Sequence, residues 1–311
     1  MTETNTVRVW SKSIPSRLHP DRDEDLAWSA ANGLAHAVID GMGSARRRTP
    51  TGEIGGEHAA RMIGQVLDAR LQNLPANLTV PAARELLTAV VREAGERVFR
   101  EVNASGQIPP EEIPPGKTAG DVLAAAVMTA AILCEGGRRA VISQNGDTRG
   151  YLYSNHELLL LTEDQDAVGS DLEQQVLTPD QAYTVEETID NFDGRDLGAM
   201  DPLVRRYYAQ RFLVFGQLGD ALPVPAPALT VIQLRPHDLL LLTSDGVHDN
   251  LTRREIADGL QLIDPAAALV DRADARSTER ALPDAADLTQ PYNYRAHQDD
   301  ITAIVIKIDW V

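Results

Sequence analysis

The chain has 311 residues, of which 43% are hydrophobic and 24% are charged. These fractions are typical of a globular protein, so they exclude a largely disordered or fibrous chain. The chain has 29 Lys and Arg residues and 46 Asp and Glu residues, which gives a formal net charge of −17. Because so acidic a surface repels phosphate backbones, we expect no nucleic-acid partner. The same excess of carboxylates suits the binding of hard divalent cations.

Cysteine content and apolar runs predict a cytoplasmic protein with no membrane partner. The single cysteine, Cys134, cannot form a disulfide within the chain or a cysteine-based zinc site, which suits a reducing compartment. The N-terminal segment lacks the apolar stretch of a secretion signal, and the most apolar run, 122–133, is too short to span a bilayer. We interpret Cys134 as a small buried side chain and not as a catalytic thiol.

In chain order, the first half predicts one strand, two helices and a series of antiparallel strands. An apolar run over 33–39 ends abruptly at an Asp-Gly pair, which predicts a strand followed by a turn. Apolar stripes at helical spacing predict helices over 57–74 and 81–102, and a proline-rich loop follows over 106–116. Four strand signals divided by turn residues come next, over 122–133, 139–143, 150–153 and 158–161.

The second half begins with an acidic, weakly periodic segment over 163–212, with one helix expected over 202–212. We interpret this segment as a flap inserted into a single domain that spans 1–311, and we expect a second long loop over 282–298. A capping-box pattern from Thr252 to Glu255 predicts the start of a helix. The remaining signals are strands over 230–234, 238–243 and 301–308 and a helix over 266–276. Blocks of strands beside paired helices favour an α+β layered fold over a doubly wound parallel sheet.

Four aspartates, Asp40, Asp147, Asp245 and Asp299, fall where predicted strands end or begin. A strand followed by an Asp-Gly turn holds a carboxylate rigidly at the end of a sheet, where the glycine lets the backbone approach a ligand. Carboxylates that cluster raise each other's pKa, so such a cluster needs cations to stay ionised. Oxygen ligands without cysteine favour Mg²⁺ or Mn²⁺ over zinc.

Six short motifs, four of which contain these aspartates, occur along nearly the whole chain. They are Asp23-Glu24-Asp25, Asp40-Gly41-Met42-Gly43, Asn145-Gly146-Asp147-Thr148-Arg149, Leu161-Thr162-Glu163-Asp164, Ser244-Asp245-Gly246-Val247-His248-Asp249 and Asp299-Asp300-Ile301-Thr302. In this order they resemble the metal-dependent protein phosphatase family, the type 2C serine/threonine phosphatases, in a bacterial version. The resemblance implies a four-layer αββα sandwich of two antiparallel sheets with a helix pair on each outer face.

The resemblance also implies a site for two metal ions. Asp40 resembles the carboxylate that bridges both ions, and Gly41 would contribute its backbone carbonyl. Asp245 and Asp299 resemble the remaining ligands of one of the two ions.

Further acidic positions resemble the surroundings of that pair of ions. Glu24 and Asp25 look like the acidic pair that holds metal-bound waters. Asp147, Asp245 and Asp249 match the family's third, weaker metal site. The resemblance thus implies two or three Mg²⁺ or Mn²⁺ ions as cofactors.

The implied activity is hydrolysis of phosphate monoesters on a phosphorylated protein substrate, with Ser and Thr as the dephosphorylated residues. In such a site two divalent ions share a water and lower its pKa, and the resulting hydroxide attacks phosphorus in line without a covalent phosphoenzyme. Two alternatives stay open: a catalytically silent sensor or scaffold with this fold, and a phosphomonoesterase that acts on small molecules. The oligomeric state is open as well.

Several positions depart from the family pattern. Pro20 stands where members often have a phosphate-binding arginine, so Arg17 and Arg22 are the candidates for that role. Met42 replaces a histidine that many eukaryotic members carry, and Gln165 takes a place often held by histidine. The run at 46–48 is either a solvated loop or a set of arginines that attracts phosphopeptide.

Overall fold

The computed structural model describes residues 5–42, 47–49, 52–101, 124–191, 200–208, 216–219, 223–279 and 298–310. The predicted proline-rich loop over 106–116, nearly all of the predicted loop over 282–298 and the first residue of the arginine run lie outside these ranges, and only the backbone of 47–49 is described.

Strands in the described part of the chain form two five-stranded antiparallel sheets and a small hairpin. Their bounds are β1 Asn5–Ile14, β2 Leu26–Ser29, β3 Ala35–Met42, β4 Arg47–Thr49, β5 Gly52–Ile54, β6 Ala125–Cys134, β7 Arg139–Asn145, β8 Arg149–Ser154, β9 Glu157–Leu160, β10 Ala228–Gln233, β11 Leu239–Thr243 and β12 Ile301–Trp310. One sheet has the order β1-β12-β11-β8-β9 and the other β10-β7-β6-β3-β2, while β4 pairs with β5. The expectation of two antiparallel sheets is confirmed.

Helices cover the outer faces of both sheets. Their bounds are α1 Gly56–Leu71, α2 Val80–Glu101, α3 Ala167–Glu173, α4 Pro179–Asn191, α5 Pro202–Tyr208, α6 Asp245–His248, α7 Arg253–Gly259 and α8 Pro265–Glu279. The pair α1 and α2 packs on β3, β6 and β7, and α8, paired with α7, packs on β1 and β12. No helix in the described ranges combines the length and hydropathy that crossing a bilayer requires.

Three apolar clusters fill the three interfaces between the four layers. Alternate residues of β3, such as Ala37 and Ile39, face α1 and α2, whereas Val38 faces the other sheet. The inter-sheet cluster takes Ile142 from β7 and Leu242 from β11, and the third cluster joins β11 and β12 to α6, α7 and α8. This period-two alternation is what lets each sheet bury both of its faces. The αββα architecture is therefore confirmed.

The helical prediction for the second half is right at one boundary and incomplete at another. Thr252 caps α7 as expected: its hydroxyl accepts from Glu255 N, and Glu255 Oε2 accepts from Thr252 N at 2.9 Å. Arg276 of α8 holds Glu255 at 2.6 Å, so the cap also joins two helices. By contrast, the described part of 163–212 contains three helices and not one. Helices α3 to α5 bury their apolar residues in a cluster of their own.

His36, on the strand that ends at Asp40, gives the fold a distinctive pH dependence. Its ring is fully buried, with Nε2 donating to Gly33 O and Nδ1 contacting Ser29 Oγ, both at 2.9 Å. This burial lowers the pKa of His36 to about 4 from a reference value of 6.5. Because the unfolded chain takes up this proton first, the contribution of His36 to stability is lost as the pH falls from 6.5 to about 4.

Between pH 6.5 and about 4, wild type should lose roughly 3 kcal/mol of unfolding free energy through His36. His36→Gln should not show this loss, because glutamine takes up no proton. Urea unfolding as a function of pH, compared between the variant and wild type, measures the difference. His237→Gln is the control, since the His237 side chain is 81% exposed. An unchanged pH dependence in His36→Gln would contradict the prediction.

Candidate metal centre

Asp40 lies near the end of β3, paired with Val127 of β6, on the face that looks toward the other sheet. The next residue, Gly41, donates its N–H to Glu24 O at 3.0 Å. A Cβ at Gly41 would lie 2.5 Å from both Glu24 O and the carbonyl carbon of Gly56. Three backbone segments therefore meet at Gly41, and only glycine leaves the space for them. This contact fixes the position of the carboxylate beside it.

A tight turn after β7 places Asp147 near Asp40. Gly146 has a φ of +91°, and a Cβ there would lie 2.0 Å from Val127. Gln165 holds this glycine on both sides: its N–H donates to Gly146 O at 2.9 Å, and its Oε1 accepts from Gly146 N at 2.8 Å. Gln165, to which the sequence assigned no role, thus fixes the turn that presents Asp147.

The turn after β11 presents Asp245 and Asp249 from one side of a short helix. Asp249 N donates to Asp245 O at 2.8 Å, so the two residues lie one helical turn apart. Gly246 lets this turn approach β12, because a Cβ there would be 2.1 Å from Asp300 O. Asp299, two residues before β12, is thereby brought to the same end of the sandwich.

The loop before β2 carries the predicted acidic pair. Glu24 and Asp25 are 8% and 7% exposed, and Glu24 is bound through its backbone to β3 by the bond from Gly41. Asp25 Oδ2 is buried and has no hydrogen-bond partner in the structure. A buried carboxylate oxygen in this state is costly unless a cation or an ordered water completes its surroundings.

Mutual repulsion shows that the predicted carboxylates share one electrostatic site. Burial raises the pKa of Asp40 well above its ordinary value, and the charges of Asp25, Asp245, Asp299 and Asp147 raise this pKa further. These five carboxylates come from five separate segments of the chain, and the fold places the other four around Asp40.

A second group of repelling charges surrounds Asp147. Burial raises the pKa of Asp147 well above its ordinary value, and the charges of Asp245, Asp164 and Asp249 raise this pKa further. Asp164 is in turn bound by Arg149, whose Nη2 lies 2.6 Å from its Oδ2. Asp147, Asp245 and Asp249, predicted as a third metal site, are thus brought together.

The donor set fits hard divalent cations. It consists of carboxylate oxygens, one of them buried without a partner, and their repulsion is relieved when a cation binds. Among the described residues, His19, Asp299 and Asp300 form a group whose ligand atoms all lie within 4.8 Å of one another. The charges of Asp245 and Asp299 act on Asp40, so these three candidate ligands lie at the same site.

The two candidate phosphate-binding arginines have different surroundings. Arg22 Nε lies 3.5 Å from Glu24 Oε1, beside the acidic pair. Arg17 makes two bonds to Asp274 of α8, at 2.7 Å from Nε and 2.6 Å from Nη2. Arg22 is therefore the one that lies at the acidic site, whereas Arg17 anchors the loop to α8.

Sequence reasoning missed two acidic residues at this site. Glu57, in the first turn of α1, lies beside Glu24; burial raises the pKa of Glu24 to about 7, with Glu57 adding to the rise and Arg22 opposing it. Asp300 accepts two backbone bonds from the loop that carries the acidic pair. Glu57 had no signal beyond that of an acidic first-turn residue, while Asp300 stands next to a predicted ligand.

Cys134 lies at the end of β6 remote from Val127, the partner of Asp40. Its side chain is fully buried, and burial raises the pKa of its thiol to about 11. The thiol therefore stays protonated, in agreement with its interpretation as a small buried side chain.

The family model "Protein phosphatase 2C" matches residues 17–285 of the chain. The chain belongs to the protein phosphatase 2C family. The resemblance drawn from the six motifs is confirmed, and so is the enzyme class, a phosphatase among the hydrolases. A search of curated protein sequences finds no significant match.

Solved structures of bacterial phosphatases share the fold of this protein phosphatase 2C chain. The serine/threonine phosphatase PstP/Ppp of Mycobacterium tuberculosis is 20% identical, with 97% of this chain and 99% of that chain covered and a TM-score of 0.64. The PstP catalytic domain in complex with two manganese ions is also 20% identical, with 98% and 100% covered and a TM-score of 0.64. Stp1 of Staphylococcus aureus is 19% identical, with 97% and 95% covered and a TM-score of 0.65.

Replacing Gly41 tests the close backbone contact at the site. We expect Gly41→Ala to lower the unfolding free energy by roughly 1–3 kcal/mol, because its Cβ meets backbone atoms that cannot move aside independently. Urea unfolding measures this loss. Gly150→Ala is the control, because its Cβ would find its nearest neighbour at 3.4 Å, an ordinary contact. Equal losses in the two variants would contradict the prediction.

Carboxylate repulsion predicts a dependence of stability on pH and on cations. Groups with a raised pKa stabilise the folded state while protonated, so the melting temperature of the cation-free protein should fall as the pH rises through about 7, the pKa of Glu24. Saturating Mn²⁺ should restore about 5 °C or more at high pH, and less at lower pH because protons compete.

Asp40→Asn provides the matched variant for this measurement. Removing one of the repelling charges should leave the cation-free protein at least as stable as wild type, while the Mn²⁺-induced rise in melting temperature becomes smaller. Differential scanning calorimetry with and without Mn²⁺ measures both. A full Mn²⁺-induced rise in Asp40→Asn would argue against a cation site at this carboxylate.

Proposed function

We propose that this protein is a Mg²⁺- or Mn²⁺-dependent serine/threonine phosphoprotein phosphatase. The observation that carries the proposal is the convergence of carboxylates from four other segments on Asp40, within a protein phosphatase 2C domain. Asp40, Asp245, Asp299 and the carbonyl of Gly41 would hold two ions. Asp147 and Asp249, with Asp245, would hold a third.

Divalent ions bound at these ligands supply a Lewis acid that polarises phosphate oxygens and activates water for attack on phosphorus. The chain itself provides orientation. Asp25 Oδ2, buried and without a hydrogen-bond partner, is placed to accept from a water, and Glu24 beside it is held by backbone bonds at both its N–H and its C=O. The acidic pair would thus fix the direction in which a water approaches the phosphate.

Arg22 is the residue that we propose for binding the phosphoryl group. Its guanidinium lies beside Glu24 at the site, and its fork of donors matches the oxygens of a phosphate. A cation at this position would offset the negative charge that a phosphoester brings to a strongly acidic site. Arg17 would instead keep its structural bond to Asp274.

The proposed substrate is a phosphorylated protein of the cytoplasm. Similar solved structures carry the names of serine/threonine phosphatases, which supports this substrate class over a small phosphate ester. We also propose one domain with a flap at 163–212. The separate apolar cluster of α3 to α5, which includes Val185 and Tyr207, supports the interpretation of this segment as an inserted unit.

Asp245→Asn tests the activity directly. We expect it to lower the hydrolysis of p-nitrophenyl phosphate in Mn²⁺ by more than about a hundredfold, since loss of an outer partner alone already costs up to that much. The melting temperature of the cation-free variant should not fall. The control is Asp258→Asn, an exposed carboxylate on α7, which should keep full activity.

Phosphopeptides separate the proposal from its alternatives. Wild-type protein should release phosphate from phosphoserine and phosphothreonine peptides faster than from small phosphate esters. Full activity in Asp245→Asn would refute the assignment of the site. Mn²⁺ binding without turnover of any phosphopeptide would show a silent scaffold, and turnover of small esters alone would show a small-molecule phosphomonoesterase.

A further inference from the structure

Asp300 is an inward-facing carboxylate between the metal-ligand candidate Asp299 and strand β12. Its side chain is 3% exposed, so it does not present its oxygens to solvent as a surface residue would. Asp299 Oδ1 accepts from Asp300 N at 2.8 Å, a bond that links the positions of the two neighbours. A buried carboxylate is retained only where donors compensate for its lost hydration.

Two backbone N–H groups supply that compensation. Asp300 Oδ1 accepts from Ser16 N at 2.5 Å, and Oδ2 accepts from Glu24 N at 2.6 Å. The two donors lie one residue from either end of the loop that joins β1 to β2, so one side chain binds both ends of this loop. Charge-assisted bonds of this length are among the stronger hydrogen bonds in proteins.

The loop that Asp300 closes carries the groups proposed to handle water and phosphate. Arg22 and Glu24 belong to it, and Asp25 follows directly. The other side of Asp300 is equally constrained, because its backbone oxygen packs against Gly246, the residue after Asp245. Asp300 thus lies between the loop and the turn that presents a metal-ligand candidate.

Electrostatics alone would disfavour a carboxylate at this position. Burial is the largest cause of the raised pKa of both Asp25 and Glu24. The charge of Asp300 raises both pKa values further. A neutral residue would avoid this repulsion. What the carboxylate provides is two equivalent acceptor oxygens, whereas an asparagine has one acceptor and would set its NH₂ against an N–H donor.

We propose that Asp300 is a positioning residue of the phosphatase site: by binding Ser16 N and Glu24 N, it holds Arg22, Glu24 and Asp25 against the metal ligands. The proposal rests on the proposed function for its catalytic consequence. The clamp itself is a statement about two hydrogen bonds and is tested independently of activity.

Asp300→Asn is the test variant. We expect the amide hydrogens of Ser16 and Glu24 to exchange faster than in wild type, and the Mn²⁺ affinity and kcat/KM on p-nitrophenyl phosphate each to fall roughly 10- to 100-fold, as is usual for partners that orient a metal site. Hydrogen exchange followed by NMR, calorimetric Mn²⁺ titration and steady-state kinetics measure the three effects.

A merely structural role would lower the melting temperature and leave Mn²⁺ affinity and kcat of the folded protein unchanged, which would overturn the proposal.

Asp238→Asn is the matched control. Asp238 is also buried, at 6% exposed, and its Oδ2 accepts from the backbone N–H of Arg235 at 2.8 Å, but it lies at the opposite end of β11 from Asp245. This variant should lose stability while keeping Mn²⁺ affinity and kcat/KM. Equal functional losses in both variants would refute a specific role for Asp300.

Amide exchange in the wild-type protein decides the matter should Asp300→Asn fail to fold. The amides of Ser16 and Glu24 should exchange much more slowly than the amide of the exposed residue Asp21. Rapid exchange of both would contradict the clamp. Absence of phosphatase activity in wild type would instead refute the proposed function, and the exchange and Mn²⁺ measurements would still test the clamp.

Discussion

Repulsion among carboxylates at one end of the β-sandwich is the constraint on which the site depends. Burial and four neighbouring aspartates raise the pKa of Asp40, while burial and three acidic neighbours, of which Asp245 is shared with Asp40, raise the pKa of Asp147. Such a cluster does not hold itself together, so its geometry must come from the backbone and from the cations that it binds. The stability of the four-layer core is what keeps these charges close in the absence of a cation.

Close backbone contacts transmit that stability to the carboxylates. Gly41, Gly146 and Gly246 each occupy a position where a Cβ would overlap a neighbour, and each lies next to a residue of the site. Hydrogen bonds complete the arrangement: Gln165 binds the Gly146 turn, and Asp300 binds both ends of the acidic loop. Sheet ends, which are otherwise free to fray, become rigid supports for ligands.

The same arrangement explains how an acidic protein can act on an acidic substrate. The proposed ions would neutralise the carboxylates and present positive charge to the phosphoryl group, with Arg22 as the neighbouring cation. The site is then attractive to phosphate although the chain as a whole carries a net charge of −17. Activity, metal affinity and stability at high pH are therefore expected to vary together in variants of these residues.

The sequence by itself determined the family, the α+β class and the main candidate ligands, because strand periodicity and the six short motifs are local features of the chain that occur in a recognisable order. It also determined the cap at Thr252, which the structure confirms. Helices α3 and α4 were missed; together with α5 they bury a small apolar cluster apart from the three clusters of the main core. The parts played by Glu57, Gln165 and Asp300, and the difference between Arg17 and Arg22, were decided by tertiary structure alone. Each of these depends on contacts between segments distant in the chain, and no local pattern encodes which donor a buried side chain will meet.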